Sequence, residues 1–298
     1  MIDIQQTRKR LQDHLHALTV TIGERSVSEP ENLKKTAAYI ASFYRELGLV
    51  LKQQAYSYAQ MSVDNIIAEI SFSENPRRNF LLGAHYDSVG GTVGADDNAS
   101  AVAVQLEIAR HLVEKANTHR LDLAVKFVSF ALEEPPVYGT AHMGSRVYAK
   151  MARSQKDKID GMICLEMVGY ACQKPGCQGY PFPLMFMDYP ETGNFIGIVN
   201  NFKSRGFGKR LLEQFQKNKE LPAIKLTVPF NGWILPAVRL SDHASFWDQG
   251  FKAVMVTDSA FFRNPYYHTA ADTMDKLDFD FMAELVESLL IFFLSHHK

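Results

Sequence analysis

Several acidic and imidazole side chains stand where apolar runs of the chain come to an end, a placement suited to metal-ion chemistry. The run Phe80-Leu81-Leu82-Gly83-Ala84 leads into His85-Tyr86-Asp87. Residues two apart on an extended backbone share a side, so Asp87 can reach the His85 ring. A metal-bound histidine needs such a partner to fix its tautomer, although a buried histidine satisfied by a nearby acid would look the same. Soon after comes Gly90-Gly91-Thr92-Val93-Gly94-Ala95-Asp96-Asp97-Asn98. Its acidic pair fits either a ligand loop or the cap of a following helix. The apolar segment 125–132 ends in Glu133-Glu134, and two adjacent carboxylates losing hydration call for a compensating positive charge. Glu166 lies inside the apolar run 162–168, where a lone acid needs a metal or an ion-pair partner. Last come His268 and Asp272; the latter reads as a turn or helix cap.

Together these positions offer two histidines and three carboxylates, with Glu133 to spare. Imidazole and carboxylate without thiolate suit zinc, with manganese or cobalt as alternatives. Two divalent cations (about +4), three carboxylates (about −3) and a bridging hydroxide (about −1) come close to neutrality. A single cation leaves an excess of negative charge, so the expectation is a pair of ions.

The elements that must position these groups alternate. Strand-like runs fall at 65–72, 80–85, 125–132, 162–168, 184–187 and 253–257. Helical spacing marks 33–47, 101–112, 144–151, 194–201, 208–217 and 279–293. Strands separated by helices of this length imply an α/β fold, a mostly parallel mixed sheet flanked by helices on both faces. Ligands of such sheets bind beyond the carboxyl ends of the strands, where these groups stand. No linker divides the chain, so one domain over 1–298 is expected.

Of the 298 residues, 46% are hydrophobic and the net charge is −1, which gives no basic footprint for nucleic acid or an anionic membrane. No window reaches the roughly 18 apolar residues of a membrane span, and the start of the sequence lacks the apolar stretch of an export signal. Three cysteines, Cys164, Cys172 and Cys177, are too few for a disulfide scaffold. Cys172 and Cys177 could pair, but reduced thiols and a cytoplasmic location are the expectation.

The segments His85-Tyr86-Asp87, Gly94-Ala95-Asp96-Asp97-Asn98-Ala99-Ser100, Glu133-Glu134, Glu166-Met167-Val168-Gly169, Ser241-Asp242-His243 and His268-Thr269 resemble the motifs of the co-catalytic two-zinc aminopeptidases, whose relatives include glutaminyl cyclases and glutamate carboxypeptidases. The resemblance implies a peptide substrate, attacked at its N-terminal bond by a metal-activated water. It implies Asp96 as the bridging ligand, with His85 and Glu166 completing one site and Glu134 and His268 the other. Glu133 would be the general base, Asp87 would orient His85, and Asp242 would stand behind the ligands, with His243 binding no metal. Pro135-Pro136 and the use of Glu at 166 depart from the common pattern and bear on the substrate pocket, whose walls are expected at 169–183 and 230–236. A one-zinc cyclase, a carboxypeptidase clamping its substrate with Arg146, Arg239 or Arg263, and a non-catalytic binding module are the rival readings.

Overall fold

The computed structural model describes residues 2–116, 120–181 and 189–295. All eight strands join one sheet: β1 (Val50–Tyr58), β2 (Met61–Ser71), β3 (Arg78–His85), β4 (Leu123–Phe130), β5 (Gly161–Glu166), β6 (Ile196–Asn201), β7 (Ala223–Val228) and β8 (Ala253–Thr257). Their order is β1-β2-β4-β3-β5-β8-β6-β7. The central four, β4, β3, β5 and β8, run parallel. β2 and β6 join them antiparallel on either side, which makes the sheet mixed.

The central strands are short and buried along nearly their whole length, as parallel strands covered on both faces must be. Among the described residues seven α-helices, α1 (Ile4–His16), α2 (Pro30–Glu46), α3 (Ala101–Ala116), α4 (Gly144–Ser154), α5 (Arg205–Phe215), α6 (His243–Asp248) and α7 (Phe279–Leu294), supply that cover. Leu106 and Leu289 pack in one apolar layer with Leu82 and Phe127. Tyr148 and Phe246 pack in the other with Leu81 and Phe130. Since Leu81 and Leu82 point to opposite faces of β3, the two layers lie on opposite sides of the sheet.

Two expectations from sequence change. Residues 196–201 form strand β6, not a helix: their backbone is claimed by β7 on one side and β8 on the other, and tertiary pairing outweighs a helix-like spacing over so few residues. Cys172 and Cys177 are joined in a disulfide, contrary to the reduced thiols expected. The turn between them is closed by Cys177 N–H donating to Lys174 C=O and by Gly176 in the left-handed region, which brings their Cα atoms to 6.5 Å. The strand expected at 184–187 lies outside the described residues.

β3, β4 and β5 also explain where chemistry can occur. The chain leaves β3 to pair β4 on one side, then crosses to pair β5 on the other. A crevice opens where the direction of winding reverses.

Candidate metal centre

At that crevice the strands do not simply run out. The Leu132 backbone just before Glu133, the Met167 backbone just after Glu166 and that of His268 itself are left-handed, with φ of +58°, +45° and +56°. For residues with a Cβ this costs about 1–2 kcal/mol each. Such strain survives only where the surroundings hold it. Here it falls beside or at the donors Glu133, Glu134, Glu166 and His268.

The result is a compact group of ring nitrogens and carboxylate oxygens. His85 Nε2 lies 3.4 Å from Asp97 Oδ1 and 3.4 Å from Glu166 Oε2. His268 Nε2 lies 3.2 Å from Asp97 Oδ2 and 3.3 Å from Glu134 Oε2. Glu133 Oε2 stands 4.0 Å from His85 Nε2. Neither ring nitrogen makes a hydrogen bond, and neither does Glu134 Oε1. Donors set about 2.0–2.2 Å from zinc at tetrahedral angles stand about 3.3–3.6 Å apart. Both triads, His85–Asp97–Glu166 and Asp97–Glu134–His268, come close to that spacing. They share Asp97, which turns one oxygen to each. Each triad therefore has the donor types and the His-to-carboxylate spacing of a metal site.

Asp97, not Asp96, occupies the shared position. The Asp96 carboxylate is turned away and fully engaged, accepting from Gly169 N–H at 2.8 Å and Asn264 Nδ2 at 2.7 Å. Adjacent side chains diverge, and the spacing of motifs does not say which of two neighbouring aspartates faces inward. Asp272, read as a simple cap, decides it: its two oxygens accept the N–H groups of Asp96 and Asp97 at 2.9 and 3.1 Å. Asp87 does the same for the other acidic pair, accepting Glu133 N–H at 2.9 Å and Glu134 N–H at 3.0 Å. Its Oδ1 also stands 3.3 Å from His85 Nδ1. Asn98 brackets Glu166 by donating to Leu165 C=O at 3.0 Å and accepting from Met167 N–H at 2.9 Å. Ser241 donates to Glu166 Oε2 at 2.6 Å. Asp242 is wholly buried beside them with both oxygens free of hydrogen bonds. His243 points elsewhere, to Val238 C=O. The supporting roles of Asn98, Asp272 and Ser241 have no signature in the sequence, because each acts on backbone or side chains far along the chain.

The electrostatics follow from burial without a basic partner. Among the described residues no lysine or arginine forms an ion pair with Asp97, Glu133, Glu134 or Glu166. Burial drives the Glu133 carboxyl well up and Glu134 up to about 8. Burial opposes the charge on His268, but the Asp97 and Glu134 carboxylates beside it outweigh that and lift the ring to about 10.

Beside Glu166 and Tyr267 opens an apolar cavity of about 100 Å³ whose walls include Gln178, Tyr180, Val199, Val238, Met255 and Phe261. Part of the expected wall at 169–183 is there. The segment 230–236 is not: Phe230, Trp233 and Ile234 project into solvent. None of the candidate arginine clamps faces the cluster. Arg263 is taken up by Gln178, Tyr170 and Phe195, Arg239 by Asp248 and Asn231, and Arg146 faces Asp248.

A sheet of this order, with such a cluster at its switch point, is the architecture of a zinc exopeptidase-like α/β enzyme. Peptidase family M28 matches residues 65–292, and the chain belongs to that family. This membership makes it a metal-dependent peptidase. The Escherichia coli (strain K12) protein YfbL, described as uncharacterized, is 33% identical over 290 residues, covering 95% of this chain and 86% of its own. A probable leucine aminopeptidase of Arthroderma otae is 30% identical over 234 residues. That match covers 74% of this chain but only 53% of the relative, so the chain spans about half its length. The LapA aminopeptidase of Legionella pneumophila has the same fold, with a TM-score of 0.75 at 18% identity over 97% of this chain and 72% of its own. So does the glutaminyl cyclase of Tannerella forsythia, with a TM-score of 0.69 at 18% identity over 99% of each chain. No helix among the described residues is long and apolar enough to cross a membrane.

Proposed function

We propose that the protein is a two-zinc aminopeptidase. The reading is carried by the two donor triads that share Asp97, one oxygen to each. His85, Asp97 and Glu166 would hold one ion, and Asp97, Glu134 and His268 the other. When bound, the ions supply positive charge that acidifies water and offsets the oxyanion of the attacked carbonyl.

The protein's own groups do the rest. Glu133, buried and 4.0 Å from His85 Nε2, takes the proton of the attacking water and delivers it to the leaving amine. Asp87 holds Glu133 and Glu134 by their N–H groups and so keeps the base still. The density of carboxylates favours a substrate ammonium group, and Arg146, Arg239 and Arg263 are engaged elsewhere, which removes these three as clamps for a substrate carboxylate. An apolar N-terminal side chain fits the cavity beside Glu166.

Glu133→Gln is expected to retain its metal and lose about 10²- to 10⁴-fold in turnover, the usual contribution of a general base. A peptide with a C-terminal amide should be cleaved and its N-acetylated counterpart spared. The reverse preference would indicate a carboxypeptidase. One ion per chain would favour a cyclase, and no hydrolysis of any peptide with zinc present a binding module. The reading keeps the enzyme in the cytoplasm. A Cys172–Cys177 bond found oxidised in protein trapped with iodoacetamide straight from cells would move it to an oxidising compartment.

A further inference from the structure

Arg25 is fully buried, and no carboxylate hydrogen-bonds to it. Its guanidinium instead donates to five carbonyls: Tyr86 at 2.8 Å, Leu18 at 3.3 Å, Gly23 at 3.1 Å, Val93 at 2.6 Å and Gly94 at 2.9 Å. A guanidinium has five N–H bonds in a rigid fork and no acceptor; here Nε serves Tyr86, the two N–H bonds of Nη1 are shared among Leu18, Gly23 and Val93, and Nη2 serves Gly94. An isolated buried cation is costly. The acids that balance this one act from a distance, and Asp87, Asp272, Asp97 and Glu134 lead them.

The carbonyls it holds are not scattered. Tyr86 lies between His85 and Asp87. Val93 and Gly94 close the loop that delivers Asp97. Gly94 is left-handed, with φ of +51°, and a Cβ there would come within 2.1 Å of Asp97 C=O, so the loop is folded tightly against that residue. The Arg25 backbone adds a further tie, its N–H donating to Ser88 Oγ at 3.0 Å while that hydroxyl donates to Thr92 C=O at 3.0 Å. One side chain thus grips both ends of the 86–94 loop, with a ligand just outside each end. It comes from a segment that precedes the stretch matched by the family.

We infer that Arg25 is a positioning residue for the metal centre, fixing the separation of His85 from Asp97 through the carbonyls of Tyr86, Val93 and Gly94. The inference rests on the reading of the His85–Asp97 cluster as a metal site.

The test is cobalt binding to the metal-free full chain, followed by visible absorption and competition with a chelator, beside circular dichroism of the same samples. Arg25→Met should fold yet bind cobalt at least about tenfold more weakly, the loss typical of groups that orient ligands, with an altered visible band. Arg25→Lys keeps the charge but has fewer donors and should fall in between. Ser88→Ala should shift the constant in the same direction by less. A merely structural residue would lower the melting temperature of the metal-free protein and leave the cobalt constant and spectrum untouched; that result in Arg25→Met overturns the inference. If Arg25→Met does not fold, wild-type constants in both Arg25→Lys and Ser88→Ala overturn it equally. Failure of the wild-type protein itself to bind cobalt would instead remove the metal reading beneath it.

Discussion

Two clusters of buried histidine and carboxylate lie among the described residues, and they are wired differently. Between α1, α2 and α3, Glu107 receives His14 Nε2 at 3.1 Å, Arg110 Nε at 3.0 Å and Arg10 at 3.7 Å. The outer nitrogen of His14 meets the Tyr39 hydroxyl at 2.6 Å, and His111 Nδ1 meets Glu114 at 3.2 Å. Every ring nitrogen there has a partner, and two arginines balance the acids. At the end of β3 no lysine or arginine pairs with the ligand carboxylates, and the inward nitrogens of His85 and His268 are unpartnered. The residue types are nearly the same. What separates the metal centre from the ion-paired network is that, among the described residues, its carboxylates have no lysine or arginine partner and its facing ring nitrogens make no hydrogen bond.

The largest effect that could break this contrast concerns the shared ligand. Asp97→Ala should lose metal at both positions and all measurable activity. Asp96→Asn, at the neighbour that faces Gly169 and Asn264, should keep both ions. Equal metal loss in the two variants would mean that the pair acts as one unit.

A second effect concerns pH. In the metal-free protein burial, helped by repulsion from Asp96, lifts Asp272 to about 7, and His268 stands at about 10. Both hold protons in the folded state that the unfolded chain releases at lower pH, so folding binds protons and stability falls as pH rises. The loss should run from about pH 4 to 7 for Asp272 and from about 6.5 to 10 for His268. Denaturant titrations in chelator across this range should show the decline, and added zinc should stabilise most at its upper end. A metal-free protein that gains stability on the way up contradicts this account of the cluster. The smallest effect belongs to the helix cluster: Glu107→Gln should cost about 1–3 kcal/mol of stability with no change in metal content, and loss of metal would erase the distinction between the two regions.

Much of this was legible in the sequence, and for physical reasons. The buried strands β3, β4 and β5 are apolar runs with few alternatives, and their ends carry His85, Glu133-Glu134 and Glu166 in plain view. Glu166 stands out because an acid in an apolar run needs an explanation. The choice between Asp96 and Asp97 was not legible, since it depends on Asp272, some 175 residues away, drawing two amides into place. Strand β6 looks helical until β7 and β8 flank it. β1 and β7 are mostly half-exposed, and their residues show no strong period. Arg25 carries no mark of its own, because its partners are all backbone carbonyls.

The most direct test is anomalous scattering from a zinc-soaked crystal of the protein. The account predicts two zinc peaks about 3.5–4 Å apart, on either side of Asp97, one against His85 and Glu166 and the other against Glu134 and His268. A single peak, or one bound by Asp96, would contradict it.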